Sequence, residues 1–309
     1  MPNWSEVLNE INQLKVELNA QSPSDIVRRK YLKKLFEKTG CNVIAYYSGW
    51  LSKPNLEGIQ ITDEDKNAIM MAVHELDRSV GLDLVLHTPG GELPATESII
   101  DYLHRMFGDD IRVIVPQIAM SAGTLIACAS KEILMGTHSN LGPIDPQVRG
   151  VPAYGVIEEF RSAAEEIKED PHKIHVWGPI LSKYHPTFLS QCQNAIKHGR
   201  EVALYHLENN MLKGITNVRT RRGRARRIVK GLTDYSGNGS HAKHIHIDEC
   251  KKLGLRVKDL EKDPELQDIV LTVHHAFMNT CMNTPSFKII ENHLGRALVK
   301  LQVAQPVQG

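Results

Sequence analysis

The chain opens with apolar residues at helical spacing. Val7, Leu8, Ile11, Leu14 and Leu18 fall on one face between Trp4 and Asn19. Ser22-Pro23-Ser24 interrupts that run, and a basic helix is expected from about Asp25 to Lys38. The period then shortens. Cys41 to Tyr47 carries the β-formers Val43, Ile44, Tyr46 and Tyr47 and predicts a strand. From residue 58 helix and strand alternate. Thr62-Asp63-Glu64-Asp65 opens a helix reaching about Ser79, with acids suited to a first turn. Leu82–His87 reads as a buried strand, Thr88-Pro89-Gly90-Gly91 as a turn and Glu92–Phe107 as a helix. Ile111–Val115 is a second buried strand, Ser121–Ser130 a third helix and Glu132–Met135 a short strand. The strands are continuous apolar runs, which predicts an α/β fold whose parallel sheet is covered on both faces.

Beyond the turn-rich stretch Thr137–Pro152, Val156–Leu212 reads as mainly helical, with a loop or hairpin over Pro171–Tyr184. Asp248–Leu253 is a short helix stopped by Gly254, and Asp263-Pro264 caps a helix to about Thr280. The tail from Gln302 to Gly309 is expected to be disordered. The expected organisation is a helical segment over 1–40, a catalytic domain over 41–258, and a helical segment and tail over 259–309.

Composition narrows the classes. Of 309 residues 41% are hydrophobic and 24% charged, and 37 Lys and Arg balance 36 Asp and Glu to a net charge of +1. No global field attracts a polyanion, so nucleic acid is not an expected partner. The five cysteines include no Cys-x-x-Cys pair, which argues against a disulfide framework or zinc knuckle and for a reducing, cytoplasmic setting. Met1–Leu18 lacks the apolar core of a signal peptide. The uncharged run Val113–Ser130 is broken by Pro116, Gln117, Ser121, Gly123 and Thr124, so no membrane span is expected.

Three short segments could carry chemistry. His87-Thr88-Pro89-Gly90-Gly91 ends a buried strand, and its glycines let backbone N–H groups approach an oxyanion; an ordinary strand-to-helix turn explains it too. Ala119-Met120-Ser121-Ala122-Gly123-Thr124 follows a strand and opens a helix, which suits an exposed nucleophile or a helix cap. Leu141-Gly142-Pro143-Ile144-Asp145-Pro146-Gln147 places a carboxylate in a polar turn. Ser121 follows Gly91 by 30 residues, and Asp145 follows Ser121 by 24.

In this order and spacing, together with Tyr47-Ser48-Gly49-Trp50 and Glu249–Leu255, the segments resemble the Clp protease/crotonase superfamily. Within it the chain is similar to the serine dehydrogenase proteinase family, a relative of signal peptide peptidase A, over roughly Tyr46–Val257. The resemblance implies a Clp/crotonase-like core of parallel strands with flanking helices and a serine peptidase activity that needs no cofactor. It implies Ser121 as nucleophile, Asp145 and His241 completing a triad, Gly91 and Ala122 N–H groups as the oxyanion hole, and Gly90 against the substrate. The Clp subunit has its His where Asp145 stands, and His138 falls too early. The two roles are therefore expected to be exchanged in sequence order, as geometry permits. The family's His-Asp-Tyr-Pro-Ile-Thr is replaced here by His241-Ala242-Lys243-His244-Ile245-His246, which makes His244 the alternative base.

Expected partners are a peptide or unfolded protein, further copies of the chain, with Trp4–Asn19 and Pro264–Thr280 as assembly elements, and a separate regulator or ATPase, since no Walker motif is present. Other readings are a catalytically silent scaffold and a crotonase-like enzyme acting on acyl-CoA or esters. His241, His244 and His246 with Asp248 or Glu249 form a compact set that could hold zinc, but exposed polar loop residues explain them better, and no metal is expected. Lys131 could form a Ser–Lys dyad only if buried. The run Arg219–Lys230 reads as a solvated helix face, with partner docking second. Cys128 reads as packing.

Overall fold

The computed structural model describes residues 4–17, 22–233 and 243–302. Two helices lead in, α1 (Trp4–Glu17) and α2 (Pro23–Thr39). The α/β body follows as β1 (Asn42–Ser48), α3 (Glu64–Val73), β2 (Leu82–His87), α4 (Leu93–Phe107), β3 (Ile111–Val115), β4 (Ile118–Ala119), α5 (Ala122–Cys128), β5 (Glu132–Met135) and β6 (Asn140–Leu141). After the hairpin β7 (Gln147–Val148) and β8 (Val151–Pro152) come α6 (Ala153–Glu169), α7 (Ile174–Leu181), α8 (Phe188–His206) and α9 (Val218–Leu232). The chain finishes with β9 (Ile245–His246), α10 (Ile247–Leu253), β10 (Val257–Asp259), α11 (Pro264–Asn283), β11 (Ser286–Asn292) and β12 (Ala297–Leu301).

The central sheet has the order β10-β5-β3-β2-β1-β11-β12, parallel from β10 through β1 and antiparallel over the last two strands. Strand alternation divides its side chains between two cores. Leu82, Leu84, Leu86, Val113 and Val115 face α3, α4, α5 and α9. Val43, Ala45, Tyr47, Val85 and Ile114 face α2 and α11. The expected α/β fold with a mostly parallel, doubly covered sheet is present. Burial on both faces is why its strands show no polar alternation.

Three expectations need correction. The last segment is not only helix and tail, because β11 and β12 extend the sheet beyond β1. Residues 174–181 form a helix rather than a loop; Asp170 Oδ1 accepts from His172 N at 3.0 Å just ahead of it. The helix opened by Glu64 stops at Val73. α11 spends its apolar face inside the chain, against α2 and the sheet, with Val270, Val273 and Phe277 fully buried. α1 likewise buries Val7 and Ile11 on Val27 and Ala276. α9 buries Ala225, Ile228, Val229 and Leu232, while Arg219, Arg222, Arg226 and Lys230 face solvent. Among the described residues no helix is long and apolar enough to cross a membrane.

β11, between β1 and the edge strand β12, carries charge into the core. Lys288 Nζ lies 2.8 Å from Asp65 Oδ2 with both side chains fully buried, and Tyr46 Oη donates to the same oxygen at 2.8 Å. Glu291 is held by Arg28 at 2.8 Å and Arg29 at 2.9 Å. Breaking such a pair from one side leaves an uncompensated buried charge, at a cost of ~3–5 kcal/mol. Lys288→Met is therefore expected to lower the urea unfolding free energy by about that much. The double variant Lys288→Met/Asp65→Asn should recover part of it. Equal losses in single and double variants would contradict the pair's role.

Candidate functional site

The site lies where β2 and β3 end. β2 leads into Thr88, which bridges in parallel to Ala119 of β4. Thr88 N donates to Ile118 O at 3.2 Å and Met120 N to Thr88 O at 3.0 Å. This short ladder sets the Thr88–Gly91 turn against the entry to α5. Gly90 has φ +95°, a conformation open to glycine. A Cβ there would sit 2.8 Å from Met120 O and 3.0 Å from Ser121 Cβ, so only glycine lets the turn lie on the serine. Gly91 pairs with Ile61: Ile61 N donates to Gly90 O at 2.8 Å, and Glu92 N donates to Ile61 O at 2.9 Å. In a parallel bridge the central residue's own N–H points to the other side. Gly91 N–H is thus directed away from Ile61, and no hydrogen bond commits it among the described residues.

Ser121 occupies the turn between β4 and α5 with φ 47° and ψ −105°. A non-glycine residue there stores ~1–3 kcal/mol of strain and lifts its side chain off the helix start. Its hydroxyl makes no cap hydrogen bond, so the helix-cap explanation of this serine fails. Thr124, on the next turn, clamps the elbow: its Oγ1 donates to Gly142 O at 2.8 Å, lies 3.1 Å from Ala119 O, and accepts from Gly142 N at 3.1 Å.

Ser121, Ala122 and Gly91 line one cavity of about 510 Å³. Its walls are mostly apolar, with Leu93 and Pro94 from α4, Leu125 from α5, and Ile144 and Pro146 flanking Asp145, while Glu92, Gln147 and Asn194 add polar groups. Asp145 is 2% exposed, and its Oδ1 accepts from Tyr154 N at 3.4 Å. The Tyr154 phenol is pushed upward chiefly by burial, while hydrogen bonds with Thr233 and Arg200 pull it back.

His241 lies outside the described residues, but the chain on either side of it is placed. Leu232 O, at the end of α9, accepts from Ile144 N at 2.8 Å. On the other side β9 pairs with β6, Leu141 opposite Ile245 and Asn140 opposite His246. Both flanks therefore meet the Asn140–Asp145 segment. β6 in turn pairs with β4, which leads into Ser121. His244 and His246 are exposed to either side of buried Ile245. No cluster of three metal-ligating side chains occurs among the described residues.

The other candidates fall elsewhere. Lys131 pairs with Asp110, and its N–H bonds Ile111 O at 2.8 Å, at the opposite end of the strands from Ser121. His138 packs by Gly136 and Glu261, just after β5. His87 points to the other face, fully buried against Tyr47, Trp50 and His274, and burial lowers its pKa to about 3. Cys128 is fully buried in the core. Sequence reasoning missed Ile61, Tyr154 and His198. The last lines the Ser121 cavity from α8, with its Nε2 2.8 Å from Glu97 Oε2. No local motif marks any of the three.

Comparison with known proteins agrees with this architecture. Residues 14–270 match the family described as ClpP-like SDH-type serine proteinase. An uncharacterized protein of Methanocaldococcus jannaschii is 31% identical over 236 residues, which is 75% of this chain and 73% of that protein. A second uncharacterized protein of the same organism is 30% identical over 197 residues, 64% of this chain and 59% of its own length. With the match running through the elbow, the glycine turn and the sheet that presents them, the chain belongs to the ClpP-like SDH-type serine proteinase family.

Proposed function

We propose that the protein is a serine hydrolase that cleaves peptide bonds through an acyl-enzyme on Ser121. The observation that carries this reading is the elbow itself: a serine at positive φ, with an uncapped hydroxyl, sharing a mostly apolar cavity with Gly91 and Ala122. His241 removes the hydroxyl proton as Ser121 Oγ attacks the substrate carbonyl. Asp145 holds the imidazole in its productive tautomer and stabilises the imidazolium. Gly91 and Ala122 N–H groups receive the oxyanion, each worth ~3 kcal/mol in comparable sites. Collapse of the tetrahedral species passes the proton from His241 to the leaving amine, and water then releases the acyl group by the reverse sequence. The placement of both flanks of residues 234–242 on the segment that carries Asp145 supports His241 as base. The apolar walls support an uncharged substrate group beside the scissile bond.

Hydrolysis of a fluorogenic peptide by Asp145→Asn and His241→Ala tests the triad. Each is expected to lower kcat by about 10⁴-fold, the scale set by the wrong tautomer or a missing base. Activity retained in His241→Ala and lost in His244→Ala or His198→Ala would move the base to that residue. An inactive but folded wild type would favour the scaffold reading, and turnover of esters alone would favour ester chemistry.

A further inference from the structure

The cavity beside Ser121 does not end at its apolar walls. Side chains of α4 and α8 meet at two places beyond it. Glu97 meets His198 at 2.8 Å, and about two turns further His104 stacks on His206 with ring centroids 5.8 Å apart. Between them a second cavity of about 800 Å³ continues the groove and shares His198 with the first. From Leu93 to His104 the groove spans ~16 Å at the helical rise, enough for about five residues of extended peptide.

The chemistry changes along its length. The near end is apolar. Beyond His198 the carboxylates Glu97, Asp101, Asp109, Glu201 and Glu208 outnumber the cations Lys213 and Arg221, and Glu201, 3.9 Å from Lys197 Nζ, has its side chain 61% exposed. The floor offers a buried polar group. His206 is only 8% exposed, yet it lines this cavity. Its Nδ1 lies 3.2 Å from Asn210 Nδ2, and its Nε2 has no hydrogen-bond partner among the described residues. Burial, with His104 adding, lowers the pKa of His206 to about 4, so the ring stays neutral near pH 7. A neutral ring nitrogen without a partner fits a hydrogen bond to a peptide backbone, and the surplus of carboxylates fits a cation.

We propose that the α4–α8 groove is a peptide subsite continuing the Ser121 cavity. It selects an apolar residue at the scissile bond and a Lys or Arg two to four residues away, with His206 Nε2 hydrogen-bonding the peptide backbone. The proposal rests on Ser121 marking the reaction centre, so its test separates binding from turnover. Fluorescein-labelled peptides with one central Leu, and Lys, Ala or Glu three residues from it on either side, are titrated by fluorescence anisotropy against the Ser121→Ala protein. The Lys peptide of one series is expected to bind at least tenfold more tightly than its Glu counterpart at low salt. Adding Glu97→Gln and Glu201→Gln, exposed changes checked for folding by thermal unfolding, should bring that ratio to within about twofold. His206→Phe should weaken the Lys and Ala peptides alike. Equal binding of Lys and Glu peptides, or a preference that survives both Glu changes, would overturn the subsite. Selective binding together with an inactive wild type would uphold the groove and refute the catalytic reading.

Discussion

Ser121→Ala is expected to lower peptide hydrolysis about a millionfold in kcat while leaving the protein folded. The size follows from the elbow. With the hydroxyl gone no covalent route remains, and the Gly91 and Ala122 N–H groups can only polarise a carbonyl for water. Folding is spared because the hydroxyl caps nothing and Ala122, not Ser121, begins the helix. A companion change separates strain from chemistry. Ser121→Gly removes the same oxygen but tolerates φ 47° freely, so it should unfold at a slightly higher temperature than Ser121→Ala. Fluorogenic turnover and calorimetry measure the two effects. Hydrolysis by Ser121→Ala within tenfold of wild type would remove Ser121 from the mechanism.

The second large effect is on stability in mild acid. His87 and His274 are packed on each other at 5.3 Å, and burial holds both pKa values low, that of His87 at about 3. In the unfolded chain each titrates near 6.5. Below that pH the unfolded state binds protons that the folded state refuses, so stability falls as pH drops. It is fully present above about 6.5 and is lost from there toward the folded values. Each group contributes ~1.4 kcal/mol per pH unit, so the pair should cost on the order of 5 kcal/mol between pH 6.5 and 4.5. Urea unfolding at the two pH values measures this. His87→Phe should remove about half of the slope, because the phenyl ring keeps the contacts with Tyr47 and Trp50 without a titrating nitrogen. An unchanged unfolding free energy at pH 4.5 would contradict the buried neutral pair.

These effects trace to residues that differ in how openly the sequence displays them. The parallel core was legible because β1, β2 and β3 are buried on both faces and so read as unbroken apolar runs. The elbow and the glycine turn were legible because close backbone approach demands small residues at fixed places. β11 was not. It places Lys288 and Glu291 in the core, and their partners Asp65, Arg28 and Arg29 lie more than two hundred residues away in sequence. A hydropathy pattern cannot show a charge that is neutralised from so far off. Ile61, which aims the Gly91 N–H, is a single apolar residue in a loop, and its role exists only through a bridge. Tyr154 and His198 were hidden for the same reason: α6 and α8 present them at positions that look like ordinary helix surface.

The central claim is that Ser121 is an activated nucleophile in an oxyanion site. Labelling with a fluorophosphonate, followed by intact mass and peptide mapping, measures it most directly. One adduct per chain on Ser121 is the predicted result, absent in Ser121→Ala and at least a hundredfold slower in His241→Ala. A folded wild type that forms no adduct, or one that carries it on another residue, would contradict the account.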